Sequence, residues 1–335
     1  MTAARIGITV PLDEPLGAHG PVLRKLRAAG YTDFWTAETA RCDAFTPLAY
    51  AAGVLDDGYF GTAIASVFAR GPGMLAMSAA ALAEAAPGRF ALGVGASSPL
   101  FAEDWNAAPY DRPLARVRDT VRFLRRAFAG DRVDEYYETF RVAGFRLERA
   151  PGRVPPILVA ALRPGMIRLA AREADGLVLN WLGSRDLPKI LAEYTGAGGG
   201  SSAGPAPEVA ARIFVCVSSD THAVRTAARR LIATYATVPA YARFHEWLGR
   251  GDALAETWRA WSAGDRKAAA AAVPDEVVDE LVVHGSVQEC AAGVQAYAAA
   301  GVTRPIVKLL SLDPARDPTA DALALGVALR DGDDS

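Results

Sequence analysis

The sequence predicts a single α/β domain over residues 1–335, a (β/α)8 TIM barrel with insertions. Eight short runs of apolar and β-branched residues alternate with longer, alanine-rich runs of helical period. Eight is the number of parallel strands that closes such a barrel. A doubly wound sheet is the alternative fold, but its G-x-G-x-x-G fingerprint is absent after the first strand, where RIGITVPLDEP leads into proline and acidic residues.

The predicted elements follow one another as strand and helix along most of the chain. The strands are expected at 5–10, 33–37, 59–67, 89–95, 156–160, 176–180, 211–218 and 304–310. The helices are expected at 20–29, 44–55, 72–86, 113–129, 164–174, 221–236 and 286–300. Pro72, Pro113 and Pro164 are predicted in first turns, where the missing N–H costs no hydrogen bond.

Three connections are too long for ordinary βα loops and are predicted to be insertions. The segment at about 130–155 has the pattern of a small hairpin, and 237–285 has the pattern of additional helices. The segment at about 182–208 contains GAGGGSSAGPAP, which is typical of a flexible surface loop.

Composition excludes several classes of function. The chain of 335 residues is 51% apolar and carries a net charge of -2, so no broad basic surface is available for nucleic acid or for an anionic membrane. Cys42, Cys216 and Cys290 are widely spaced and odd in number, without a CxxC pair, which predicts neither a disulfide framework nor a metal site. Reduced thiols are expected, in a cytoplasmic protein.

The carboxyl ends of the strands are the place to look for a site, because a TIM barrel builds its ligand site there. Glu38 follows the second strand, and GASSP follows the fourth. Gly93 and Gly95 allow the backbone to pass close to a flat ligand, and the small residues after them keep the exit low and supply donors. A bend at a barrel corner would also favour glycine here, but it does not explain three small residues in succession.

The stretch AALRPGM at 160–166 predicts a local anion site. If Pro164 opens a helix, then the N–H groups of Gly165 and Met166 and the positive end of the helix dipole face the rim, beside Arg163. The alternative is an ordinary helix start with an arginine that faces solvent.

The strand ends described above and the stretches around them, taken in their order along the chain, resemble the luciferase-like flavin monooxygenase and deazaflavin oxidoreductase superfamily, particularly its actinobacterial coenzyme F420 branch. The similarity includes FWTAETARCDAFTPLAYAA, YFGTAIASVFARGP, RFALGVGASSP and PPILVAALRPGMIRLAAREADGLVLN, and it extends over nearly the whole chain. The resemblance implies a non-prolyl cis peptide between Ala63 and Ile64, followed by Ala65, that backs the deazaflavin ring. It implies that the ring or its ribityl chain is bordered by Gly95, Ala96, Ser97 and Ser98, and that the phosphate is held by Ala160, Ala161, Leu162, Arg163, Pro164, Gly165 and Met166.

Glu38 matches the acidic position near the reactive edge of the ring in F420 enzymes. The resemblance implies either a proton donor or a group that steadies the ring, and the alternative is a salt bridge to Arg41 or Arg70 inside the rim. Thr39 stands where the sugar-phosphate and pterin enzymes of this superfamily have histidine, which makes those substrates doubtful. The loop residues Trp105, Tyr110, Asn180 and Trp181 are candidates for the substrate pocket, and the alternative for the aromatic residues is packing against the insertions.

Three functions follow from the resemblance. The first is an F420H2-dependent reductase that transfers a hydride to a C=C, C=N or C=O bond of a small metabolite. The second is an FMN-dependent monooxygenase that uses O2 and reduced flavin from a partner reductase. The third is a barrel that binds flavin or ligand without turnover. The resemblance also implies a homodimer.

Overall fold

The computed structural model describes residues 5–10, 15–200, 207–312 and 318–332. Within these residues, eight parallel strands close into a barrel in the order β1-β2-β3-β5-β8-β9-β10-β12, and β12 pairs back onto β1. This confirms the predicted TIM barrel. The barrel strands are β1 (Gly7–Val10), β2 (Asp33–Thr36), β3 (Tyr59–Thr62), β5 (Phe90–Gly95), β8 (Ile157–Ala160), β9 (Gly176–Asn180), β10 (Glu208–Val217) and β12 (Arg304–Leu309).

The third strand is interrupted, whereas the sequence predicted one continuous strand over 59–67. The bond between Ala63 and Ile64 is cis, as the resemblance implied. The chain then resumes as β4 (Ala65–Ser66), which pairs only with β5. The neighbouring strand that accepts the hydrogen bonds changes at this point. The N–H of Ala63 donates to the Thr36 carbonyl on the second strand at 2.6 Å, whereas the N–H of Val67 donates to the Gly95 carbonyl on the fourth.

Thirteen α-helices are found in the described residues, and the seven predicted helices are among them. Pro72, Pro113 and Pro164 each begin a helix, as predicted. None of the described helices has the length and apolar character needed to cross a membrane. The helices are α1 (His19–Ala29), α2 (Thr46–Ala52), α3 (Pro72–Ala85), α4 (Pro113–Phe128), α5 (Pro164–Glu173), α6 (Leu187–Gly196), α7 (Thr221–Ala236), α8 (Pro239–Leu248), α9 (Gly251–Ser262), α10 (Arg266–Ala271), α11 (Asp275–Leu281), α12 (Val287–Ala299) and α13 (Thr319–Asp331).

The three long connections have different structures. The first, at 130–155, contains the antiparallel hairpin β6 (Val133–Tyr136) and β7 (Arg141–Phe145). The third, at 237–285, contains α8 to α11 and a strand that the sequence did not predict, β11 (Val282–Gly285), which pairs with the end of β10. The second, at 182–208, differs from the predicted insertion because α6 lies in it as the regular helix between β9 and β10. Its residues 201–206 lie outside the described part of the chain.

Side chains fill the amino-terminal half of the barrel interior. At the amino-terminal end, Arg304 forms ion pairs with Asp33 at 2.7 Å and with Glu208 at 2.9 Å. Above this layer lies an apolar layer that contains Trp35 and Ile306, both buried. The Trp35 ring covers Gly61, where a Cβ atom would lie 2.2 Å from it. The lower barrel is therefore closed, and a ligand has access only from the carboxyl rim.

Candidate active site at the carboxyl rim

Glu38 connects the loop after β2 to the interruption of the third strand. One carboxylate oxygen accepts a hydrogen bond from the N–H of Ser66 at 2.8 Å. The other forms an ion pair with the Arg70 guanidinium and accepts a longer hydrogen bond, 3.4 Å, from the N–H of Ala44. The Glu38 side chain is only 4% exposed. Both oxygens are thus occupied by donors, which favours the steadying role for Glu38 over the proton donor.

Arg70 has a second acidic neighbour and an aromatic support. Its guanidinium lies 3.3 Å from the carboxylate of Asp43 and 5.1 Å from the centre of the Phe45 ring. Burial acts to raise the pKa of Asp43, but hydrogen bonds from Thr46 and from the Phe45 N–H outweigh it, so this pKa lies below its ordinary value. Asp43 therefore stays ionised beside Arg70, and the loop after β2 is fixed by charge as well as by hydrogen bonds.

The ends of three strands meet without large side chains. A Cβ atom on Gly95 would lie 2.8 Å from the Ala160 Cβ and 3.2 Å from the Ile64 side chain. A larger residue at position 95 would displace one of these neighbours. We call the surface formed by Ala63, Ile64, Gly95 and Ala160 the small-residue cradle. It explains GASSP better than a barrel-corner bend does, because the glycine is needed for close approach between strands.

The residues after Gly95 are partly committed to the protein itself. Ser97 has a left-handed backbone, with φ of 59°, and its carbonyl accepts a hydrogen bond from the Tyr110 hydroxyl at 3.3 Å. The Ser98 hydroxyl accepts from the N–H of Phe101 at 3.3 Å. Ala96 is half-buried beside them. The Ser98 hydroxyl thus has a hydrogen-bond partner within its own loop. That Ser98 borders the ring stays a prediction.

The beginning of α5 provides part of the predicted anion site. Both Met166 and Ile167 donate their N–H groups to the Arg163 carbonyl, each at 3.0 Å, so the prediction of a free Met166 N–H is wrong. The tight first turn after Pro164 is the reason. Arg163 is exposed at the rim, and its positive charge acts on the hydroxyl of Tyr110, although burial keeps the pKa of Tyr110 above its ordinary value.

The wall formed by β9 and β10 carries Asn180, a predicted pocket candidate, and one charged residue that the sequence analysis did not assign, Arg212. Asn180 and Arg212 lie side by side on β9 and β10, and Arg212 is also in register with Ile306 of the interior layer. The Asn180 amide donates to the Tyr241 hydroxyl at 2.9 Å, while its oxygen is buried without a hydrogen-bond partner. The Nε of Arg212 is likewise buried without a partner. A charged residue on the interior face of the strand ARIFVCVS was the available signal.

Aromatic rings and the additional helices enclose this wall. Trp181, whose φ is 55°, stacks on Phe214 with ring centres 3.9 Å apart, and Tyr235 of α7 lies 5.0 Å from Trp181. Burial raises the pKa of Tyr241, on α8, to about 12, although the hydrogen bond with Asn180 acts to lower it. Tyr241 is therefore a neutral hydroxyl at physiological pH.

The sequence model of the luciferase-like monooxygenase family matches residues 2–304. The chain belongs to this family. A Mycobacterium tuberculosis relative, named as a coenzyme F420-dependent oxidoreductase, is 26% identical and covers 92% of this chain and 95% of its own length. Among solved structures, the coenzyme F420 dependent tetrahydromethanopterin reductase from Methanopyrus kandleri is similar in fold, with a TM-score of 0.76 at 18% identity, over 97% of this chain and 98% of its own. An F420-dependent secondary alcohol dehydrogenase, solved with an F420-acetone adduct, has a TM-score of 0.73 at 16% identity, over 97% and 99%.

Proposed function

We propose that this family member is an F420-dependent oxidoreductase that reduces a C=C, C=N or C=O bond of a small metabolite. Its support is the relative named for F420-dependent oxidoreduction, together with the rim geometry. The observation that carries the proposal is the small-residue cradle, where the half-buried apolar residues Ala63, Ile64 and Ala160 surround a glycine that has no room for a Cβ. Such a surface suits the flat face of a tricyclic ring. When bound, F420H2 supplies a hydride from C5 of its deazaflavin ring.

The residues of this chain supply binding and orientation. Ala63, Ile64, Gly95 and Ala160 would contact the ring, and Ala65 follows them on the same segment. Ala96 and Ser97 would border the ribityl chain. The exposed guanidinium of Arg163 and the N–H of Gly165, at the positive end of α5, would hold the phosphate.

Glu38 acts in this proposal as a positioning residue. Its carboxylate holds the N–H of Ser66, two residues beyond Ile64, and is itself held by Arg70. The cradle is thereby tied to the loop after β2. The proton that accompanies hydride transfer then comes from another group or from water, since both Glu38 oxygens accept hydrogen bonds in the described structure.

An FMN-dependent monooxygenase is the second candidate, favoured by the name of the matching family. A surface of small apolar residues would accept the FMN ring as well as the deazaflavin ring. Such an enzyme would require O2 and a partner flavin reductase. The homodimer and the cytoplasmic location stay predictions.

Titration of the purified protein with F420 and with FMN, followed by fluorescence quenching, separates the two candidates. We expect F420 to bind more tightly, and we expect Gly95→Val to weaken that binding by at least tenfold. Gly152→Val is the matched control, because a Cβ at Gly152 would meet nothing within 4 Å. Tight FMN binding without F420 binding would refute the proposal. Circular dichroism melting curves of both variants show whether a loss of binding comes from unfolding.

A further inference from the structure

Arg212 stands out among the interior-facing arginines of the described barrel strands because it lacks an acidic partner. Arg304, on the neighbouring strand β12 and level with Ala210, is paired with Asp33 and Glu208. Arg250, outside the barrel, is paired with Asp186 at 2.8 Å. Arg212 has only the Phe214 ring, whose centre lies 5.3 Å from its guanidinium carbon. The Nε of Arg212 is buried without a hydrogen-bond partner, and such a group is costly to keep.

The groups around Arg212 do not neutralise its charge. The titratable groups that act on it are the hydroxyls of Tyr235 and Tyr241, and no carboxylate is among them in the described residues. The residue as a whole is half-buried. Because the Arg304 ion pairs lie below Arg212 and Ile306 lies beside it in register, the remaining exposure of Arg212 faces the rim.

The position of Arg212 relative to the cradle is fixed by the strand order. Ala63 and Ile64 end the third barrel strand, and Arg212 lies on the seventh, so three strands lie between them in either direction around an eight-stranded barrel. They therefore face each other across the mouth. A molecule placed against Ala63 and Ile64 has Arg212 across the mouth, while Ala160, at the other end of the cradle, lies on the strand next to the one that carries Asn180.

We propose that Arg212 binds a carboxylate of the substrate, and that Asn180 accepts a hydrogen bond from an N–H or O–H group next to that carboxylate. This inference rests on the proposed function only for what happens after binding. The planar guanidinium fork fits a carboxylate through two parallel hydrogen bonds. The Asn180 amide nitrogen is already committed to Tyr241, so its oxygen is the free acceptor. The substrate class is thus a small hydroxy, amino or imino acid, or a precursor of one.

The first test is the melting temperature of ligand-free Arg212→Met. Removing an unpaired buried charge leaves no acidic residue behind, so we expect the melting temperature to stay equal or to rise. Arg304→Met is the matched control, and it should melt at a lower temperature because it leaves Asp33 and Glu208 unpaired. A drop for Arg212→Met as large as that for Arg304→Met would mean a structural partner, and would overturn the proposal.

The second test is binding of three probes at constant ionic strength, measured by calorimetry in the presence and absence of F420. Lactate carries a carboxylate and a neighbouring hydroxyl, propionate carries the carboxylate alone, and propane-1,2-diol carries no charge. We expect affinity for the wild type to fall in that order, Arg212→Met to lose at least tenfold for the two acids, and Asn180→Leu to remove the preference for lactate over propionate.

The F420 titration distinguishes this inference from the proposed function. We expect Arg212→Met to bind F420 within twofold of the wild type. If it loses F420 and no probe acid binds the wild type, Arg212 serves the cofactor and the inference is wrong. If the acids bind through Arg212 but F420 does not bind at all, the proposed function fails while the inference stands.

Discussion

The ion pair between Glu38 and Arg70 predicts an asymmetric response to mutation. Arg70→Met leaves a carboxylate that is 4% exposed with only two backbone N–H donors. Removing one partner of a buried ion pair lowers the free energy of unfolding by about 3–5 kcal/mol. Because the Arg70 side chain is 19% exposed, we expect a loss at the lower end, about 3 kcal/mol. Glu38→Gln keeps an acceptor for the N–H of Ser66, and Arg70 keeps Asp43. Its expected loss is about 1–2 kcal/mol, of the order of one hydrogen bond to a charged group.

The double variant gives the sharpest result. In Glu38→Gln with Arg70→Met, no buried carboxylate is left without its cation, so the free energy of unfolding should exceed that of Arg70→Met alone by about 1–2 kcal/mol. Urea denaturation, followed by both far-ultraviolet circular dichroism and tryptophan fluorescence, measures the four proteins and tests for coincident transitions. A double variant less stable than Arg70→Met would refute the reasoning. The same would follow if Arg70→Met unfolded like the wild type.

Three further predictions concern the scaffold that supports the rim. Arg304→Met should lose about 3–5 kcal/mol at neutral pH, because it leaves Asp33 buried without its cation. Burial already raises the pKa of Asp33 against the opposing charge of Arg304, so the folded protein binds a proton at higher pH than the unfolded chain. Stability therefore falls as pH rises above the ordinary value of 3.8, and the deficit of the variant should shrink between pH 8 and pH 5. Gly93→Ala should cost about 1–3 kcal/mol or more, since its Cβ would lie 2.0 Å from the Thr62 carbonyl oxygen. Ser286→Ala should cost about 1 kcal/mol through loss of the capping box of α12.

Urea denaturation measures all three, and each has its own contrary outcome. A deficit of Arg304→Met that is constant from pH 8 to pH 5 would contradict the role given to Asp33. Wild-type stability in Gly93→Ala would mean that the fourth strand can move away from the third. Gly152→Ala is its control, since nothing lies within 4 Å of a Cβ there. If the free energy of unfolding of Ser286→Ala equals that of the wild type, the capping box of α12 does not contribute to stability.

The predictable parts of the site are those that depend only on the order of the strands and on the size of the residues that follow them. Glu38 and the cradle follow strands whose apolar pattern is plain, and backbone geometry then places them at one rim. The interruption of the third strand came from the resemblance alone, because FGTAIASV reads as an unbroken strand. The free Met166 N–H was wrongly expected, since the sequence marks where α5 begins but not how tightly its first turn closes.

Arg212 was overlooked for a different reason. Alternation along a strand tells which side chains face the interior, but it does not tell whether an interior charge finds a partner. For Arg304 the partners come from β2 and β10, far away in the chain. For Arg212 the neighbours are tyrosines on α7 and α8, within a segment whose packing no local pattern specifies. Partner identity is a property of the assembled fold.

The length of β10 has a consequence for how this barrel could diversify. Its ten residues pair with β9 and β12 low in the barrel and continue upward to pair with β11, so one side of the mouth stands taller than the rest. That raised side is built from the excursion between the seventh and eighth strands, whereas the cradle belongs to the third, fourth and fifth. Exchange of residues 237–285 between homologues would thus change which molecules can enter the mouth, while the small-residue cradle would stay intact.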